Sequence, residues 1–229
     1  MTMLRFSKVV SSLPGTLTPN TLYMVRVGAG FDLFVSDATG SIAYPVNLQD
    51  NAGAIAWPRR SATPRIVGDI GGTALTTLAL TASRLHFILF TVPRPVQLTG
   101  LRISVTTAAT GTAAIGIYGN TKVAGEDAPG NLLASATGLD TGTTGDKTGA
   151  VSYTLSPGMI YWACTIASAA ATLRALAVAS IQSGLGRTVN NTTVISHLFA
   201  AGSGSTLPAT APTTLTAGTG SCPAIYLLE

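Results

Sequence analysis

The stretch Val96-Gln97-Leu98-Thr99-Gly100-Leu101-Arg102-Ile103-Ser104-Val105-Thr106 alternates apolar with polar residues. Leu98, Leu101, Ile103 and Val105 keep a spacing near two around a single break at Gly100, which predicts a strand carrying a bulge. The same reading holds on both sides of it. Strands are predicted over 75–81, 84–92, 96–106, 112–118, 131–136, 150–155, 159–167, 172–179, 193–199 and 224–228, most of them separated by turns rich in Pro, Gly, Asn and Asp. The Ala-rich run 167–179 is the one stretch compatible with a helix; its β-rich neighbours and Thr172 favour a strand. Many short strands without an amphipathic helix predict an all-β chain, with a jelly-roll-like β-sandwich over 75–229.

Upstream, short strands are predicted over 4–10, 21–27, 31–36 and 41–48. Pro14-Gly15, Pro19-Asn20, Gly28-Ala29-Gly30 and Asp37-Ala38-Thr39-Gly40 mark the turns. Pro45 weakens the last strand or places it at an edge. Leu22, Met24 and Arg26 share one face of the second strand; Tyr23, Val25 and Val27 share the other. An antiparallel meander confined to residues 1–48 buries little apolar surface. A partner is expected to complete it, either a second copy or another protein surface; a self-sufficient miniature barrel is the alternative. Residues 49–74 show neither helical nor strand periodicity and read as a linker. Trp57, beside Pro58, Arg59 and Arg60, is either laid against another subunit or folded back onto its own domain.

Only 10% of the 229 residues are charged, while 46% are hydrophobic and 6% aromatic. About a quarter of an average globular chain is charged. So few charges leave a surface of Thr, Ser, Gly, Ala and backbone, suited to burial between subunits or to weak contact with neutral sugars. The net charge is +4. Arg5, Lys8, Arg26, Arg59, Arg60 and Arg65 in the first 65 residues face only Asp32, Asp37 and Asp50, an excess that favours an acidic protein surface. No basic stripe with interleaved aromatics points to nucleic acid. Mean hydropathy is +0.43, yet no run of eighteen apolar residues exists, and the N-terminus lacks the apolar centre of a signal peptide. Membrane insertion is therefore not expected.

The inventory for catalysis is thin. His86 and His197 each sit inside an apolar strand and read as structural. Cys164 and Cys222 read as buried thiols, with a bridge left open by their spacing. Two Cys and two His without ligand spacing build no zinc motif, and no cofactor is expected. No Gly-x-Ser-x-Gly elbow is present. Glu126-Asp127 and the Asp140/Asp146 pair match no ion-binding loop, and solvated loop acids explain them better than glycoside hydrolysis. Polar loops supply candidate glycan contacts at Asn120, Lys122, Glu126, Asp127, Asp140, Asn190 and Asn191, although turn chemistry accounts for the same residue types.

Leu13-Pro14-Gly15-Thr16-Leu17-Thr18-Pro19-Asn20-Thr21-Leu22-Tyr23-Met24-Val25-Arg26-Val27, continued by Gly28 to Gly40, resembles the N-terminal module of virion structural proteins of tailed bacteriophages. Thr112 to Tyr118, then Pro129-Gly130-Asn131-Leu132-Leu133-Ala134, then Leu155-Ser156-Pro157-Gly158-Met159-Ile160-Tyr161-Trp162 resembles β-sandwich domains of phage fibres over residues 84–182. That likeness implies that the Pro-Gly turn precedes a core strand and that Tyr161 and Trp162 pack within the sandwich. Together the resemblances imply a virion protein without catalysis, assembled in a host cytoplasm. It would be a short trimeric head or tail fibre or spike, bound to capsid or tail proteins, with host-surface glycans as a further partner. Leu4, Phe6, Leu22, Tyr23, Phe31, Phe34, Trp57, Arg59 and Arg60 are the expected anchor or interface residues. A capsid decoration protein and a non-viral lectin-like or enzyme accessory module are the competing readings.

Overall fold

The computed structural model describes residues 5–6, 12–27, 30–45, 64–69, 75–181, 185 and 194–229. The chain divides into two compact units, Met1–Ala54 and Ile55–Glu229. It is all-β, and among the described residues no helix is long and apolar enough to cross a membrane.

The first unit is one four-stranded sheet of β1 (Arg5–Phe6), β2 (Thr21–Val27), β3 (Gly30–Ser36) and β4 (Ala43–Pro45), in that order. β2, β3 and β4 are antiparallel neighbours, whereas β1 runs parallel to β2. The parallel start departs from a plain meander. Residues 7–20 separate β1 from β2, enough chain for the crossover that a parallel pair needs. The described part of that connection meets one face of the sheet at Thr18. There Thr21, Tyr23, Val25 and Ser36 are buried. The Tyr23 hydroxyl accepts the Thr18 N–H at 2.6 Å, and the Ser36 hydroxyl bonds both the Thr18 carbonyl and the Thr21 N–H. Asp37 caps the β3–β4 turn by accepting the Ser41 and Ile42 N–H groups, with the Thr39 hydroxyl on its other oxygen; these bonds hold its carboxyl below the usual range.

The second unit contains β5 (Arg65–Ile66), β6 (Thr76–Ala79), β7 (Arg84–Thr91), β8 (Val96–Thr107), β9 (Thr112–Val123), β10 (Glu126–Asp140), β11 (Gly145–Leu155), β12 (Ile160–Ala167), β13 (Thr172–Leu176), β14 (His197–Ala201), β15 (Thr216–Gly218), β16 (Cys222–Pro223) and β17 (Tyr226–Leu228). Four antiparallel pairs nest inside one another: β9 with β10, β8 with β11, β7 with β12 and β6 with β13. They alternate between two sheets, β6-β13-β8-β11 and β7-β12-β9-β10. A long hairpin folded over on itself in this way is a jelly roll. β14 and β15 extend the second sheet beyond β7, and β17 with β5 completes the edge of β8 that β13 leaves open.

Alternation along the strands fills the space between the sheets. Leu98, Leu101, Ile103 and Val105 of β8 meet Ile115 and Ile117 of β9, Ile88 and Phe90 of β7, Tyr161 of β12 and Leu173 of β13, all buried. The bulge expected at Gly100 falls on the partner strand instead: Gly100 opposes Ala150 and Leu98 opposes Tyr153, so β11 spends three steps where β8 spends two and carries the extra residue. The Ala-rich stretch is a strand over Thr172–Leu176 followed by a 3-10 turn at Val178–Ser180. The predicted linker ends earlier than its composition suggests: β5 pairs with β17, and Val67 is fully buried in the jelly-roll core.

A second core lies on the opposite side of the β7-β12-β9 sheet, where Leu85, Phe87, Tyr118, Trp162, Cys164 and Ile166 are buried. The segment 202–215 straps across them, contributing Leu207, Ala211 and Leu215. The strap is pinned at both ends. Gly202 and Gly204 donate to the Ser83 carbonyl and hydroxyl at 2.7 and 3.0 Å; Ala211 donates to Gly130, and Leu132 donates to Ala209, each at 2.9 Å. Gly116 makes room for it, since a Cβ there would stand 2.8 Å from the side chains of both Leu132 and Leu207.

Candidate functional site

The predicted loop from Gly119 to Gly130 is instead a continuous β-hairpin, because β9 runs on to Val123 and β10 starts at Glu126. Ala124 and Gly125 close it with φ of 52° and 88°, the two positive values of a type I′ turn. Pro129 pairs with Asn120 inside the ladder, so Pro129-Gly130 is a strand segment at a register shift and not a turn. It is there that the strap joins.

The hairpin binds its polar residues to one another. The buried Trp162 indole donates to Asn120 Oδ1 at 2.9 Å, and Asn120 Nδ2 donates to Asp127 Oδ1 at 2.5 Å. Lys122, opposite Asp127 in the ladder, places its ammonium 2.8 Å from the same carboxylate. The Lys122 and Asn120 hydrogen bonds hold the Asp127 carboxyl below its ordinary range. Exposure of 62% at Lys122 makes the ion pair weak, whereas the indole bond is sheltered. Glu126 is exposed beside this network. Next to it a cavity of about 330 Å³ is lined by Val123, Asp127, Leu185, Leu198, Leu215 and Ala217 among others.

Asp140 does not join this group. It ends β10 opposite Thr112, whereas Asp127 stands opposite Lys122, ten residues away on β9; at ~3.3 Å per residue the two lie roughly 33 Å apart along the sheet. Asp140 accepts the Gly142 N–H at 2.8 Å and the Thr143 hydroxyl at 2.6 Å, with Lys147 Nζ at 3.6 Å; these contacts, Thr143 first, lower its pKa. It organises the β10–β11 turn. Asn190 and Asn191 lie outside the described residues.

The expected interface residues divide similarly. Leu4, Trp57, Arg59 and Arg60 lie outside the described residues, and Phe6 and Phe31 are placed only as backbone in β1 and β3. Tyr23 and Phe34 are cross-strand partners on the covered face of the first unit, with Tyr23 only 3% exposed. Leu22 is on the other face, in a row with Val35 and Tyr44; Met24 and Leu33 form the next row. Those apolar side chains are half-buried except Tyr44, which is 52% exposed, and Ile42 next to β4 is 51% exposed.

Tyr161 and Trp162 are both buried, Tyr161 between the sheets and Trp162 beneath the strap. Cys164 and Cys222 are free, buried thiols; burial pushes Cys222 up to about 12 and Cys164 well above its usual range. His86 and His197 are each 5% exposed, with ring centroids 5.2 Å apart. His197 Nδ1 meets the Ser196 hydroxyl at 2.9 Å, whereas neither ring nitrogen of His86 has a hydrogen-bond partner. Burial first, then neighbouring positive charge, lowers His86 to about 3 and His197 to about 4. Among the described residues, no three His, Cys, Asp or Glu side chains converge on a metal site.

The fold explains why Arg84 and Phe199 were not singled out from the sequence: β7 and β14 pair directly, yet more than a hundred residues separate them. No protein-family model matches the chain, and no curated protein or solved structure does so either.

Proposed function

We propose that this chain is a structural component of a phage particle, a short trimeric fibre or spike. Its N-terminal unit docks on a head or tail protein, and its jelly roll contacts host-surface glycans. The observation that carries this reading is the half-exposed apolar face of the first unit. Leu22, Met24, Leu33, Val35 and Tyr44 form that face on a single sheet, with Ile42 beside its edge strand. A four-stranded sheet of this size gains little by itself, and a half-exposed apolar face fits a protein partner. The jelly roll, by contrast, carries two cores of its own. The low charge content and the resemblance of residues 13–40 to phage virion modules support the same reading.

Electron microscopy of particles labelled with antibody to this chain tests it, together with light scattering of the purified protein. Label at a fixed site on the particle and a trimeric mass are expected. Unlabelled particles and a monomer would overturn the reading. Normal adsorption but fragile capsids in particles lacking the protein would move it to a decoration role.

A further inference from the structure

A second cavity, of about 450 Å³, opens where β14 and β15 extend the sheet past β7. Arg84, Phe199, Pro212, Thr214 and Thr216 line it. The ladder sets His86, Phe199 and Thr216 in one row, with Arg84 and Ala201 in the neighbouring row. The Arg84 guanidinium lies over the Phe199 ring, 4.8 Å from its centroid. That contact fixes the planar cation and leaves its N–H edges free to bind an anion in a forked geometry.

Among the described residues no carboxylate pairs with Arg84, and none lines the cavity. Burial, the first cause, holds the neighbouring His86 and His197 well below their usual pKa, and among the described residues that line the cavity Arg84 alone is of a charged type. The exposed Thr214 and Thr216 bring hydroxyls to the same opening. The volume falls within the range of small-ligand sites and admits a single sugar ring.

We propose that this cavity binds the carboxylate of an acidic sugar, with Arg84 as the anion-binding group and Thr214 and Thr216 contacting the ring hydroxyls. The proposal rests on the glycan-contact part of the function above and names the sugar class. Charge complementarity selects the acid: a neutral sugar would leave the fixed guanidinium without a counter-charge.

Calorimetric titration of the full chain with a hexuronate oligosaccharide, with its uncharged methyl ester and with inorganic sulfate tests the proposal. The uronate is expected to bind about ten- to a hundredfold more tightly than the ester, the range of one charge-assisted hydrogen-bonded contact. Arg84→Gln is expected to abolish that difference, and Thr216→Val to weaken uronate binding with the fold intact. Equal affinity for uronate and ester would overturn the proposal, as would a folded Arg84→Gln protein that keeps the preference. Sulfate bound as tightly as the uronate would reduce the site to a simple anion site and overturn the sugar assignment. The uronate–ester comparison needs no variant, so it stands even if Arg84→Gln fails to fold. None of these outcomes touches the virion assignment, which particle labelling decides separately.

Discussion

Asn120 shows how a polar side chain of binding-site type can serve the fold. Its carbonyl oxygen accepts the Trp162 indole and its amide reaches Asp127, so both polar ends are used within the chain. Replacing Asn120 by Ala strands the buried indole N–H. It is expected to lower stability by about 1–3 kcal/mol, the cost of an unpaired buried donor, read by urea unfolding. The histidine pair gives a sharper signature. In the folded chain both rings stay neutral down to their lowered pKa values of about 4 and about 3, with Arg84 beside them and each ring against the other. The unfolded chain takes up protons at each histidine below about pH 6.5. Stability is therefore fully present above pH 6.5. It falls with acidification by about 1.4 kcal/mol per pH unit for each ring, until the folded values are reached. The urea midpoint is expected to drop steadily between pH 6.5 and 4, and His86→Phe to remove about half of that slope. A midpoint flat across this range would contradict the buried, neutral pair.

At the scale of elements, the β9–β10 hairpin turns on Ala124 and Gly125, and the glycine alone suits its positive φ. An alanine in the left-handed region costs about 1–2 kcal/mol, and Asn-Gly is the pair that type I′ turns favour. Ala124→Asn is therefore expected to raise stability by about 0.5–1 kcal/mol and to slow amide exchange at the hairpin tip, measured by thermal unfolding and hydrogen exchange. The same hairpin marks where the sequence becomes hard to read. β7, β8, β12 and β13 were legible because their burial alternates or runs apolar against turn-rich flanks. Between Gly119 and Gly130 the chain has almost no apolar alternation; backbone pairing and the Trp162–Asn120 bond hold it, and neither leaves a periodic trace. The strap 202–215 escapes for a related reason: single hydrogen bonds at Ser83 and Gly130 and the insertion of Leu207 beside Gly116 fix it. Of the candidate glycan residues, Asn120, Lys122, Glu126 and Asp127 do fall together. Asp140 could not be separated from them by composition, because distance along a strand is visible only once the strand is known. Arg84 and Phe199 meet only through a pairing between distant segments.

For the whole molecule, the chain divides into two units, each with buried residues of its own. The jelly roll buries Leu98, Leu101, Ile103, Ile115, Ile117 and Trp162 almost completely and seals its second core with its own strap. The first unit closes one face over Tyr23 and Val25 but leaves the Leu22–Met24–Val35 face half-open. A charge introduced on that open face meets water in the isolated chain and, in the proposed assembly, the surface of a partner. Val35→Asp is therefore expected to leave the thermal midpoint of the jelly roll unchanged, since Val35 lies in the sheet of the first unit and the two jelly-roll cores are built from residues of the second. In particle assembly the same variant is expected to lose incorporation by tenfold or more, because burying an unpaired carboxylate in an interface costs several kcal/mol. Quantitative immunoblotting of purified particles measures this, with Thr148→Asp on the exposed side of β11 as the control that keeps full incorporation. Normal incorporation of Val35→Asp would mean that the open face is not the docking surface. Loss of the jelly-roll transition in the same variant would mean that the two units do not fold independently.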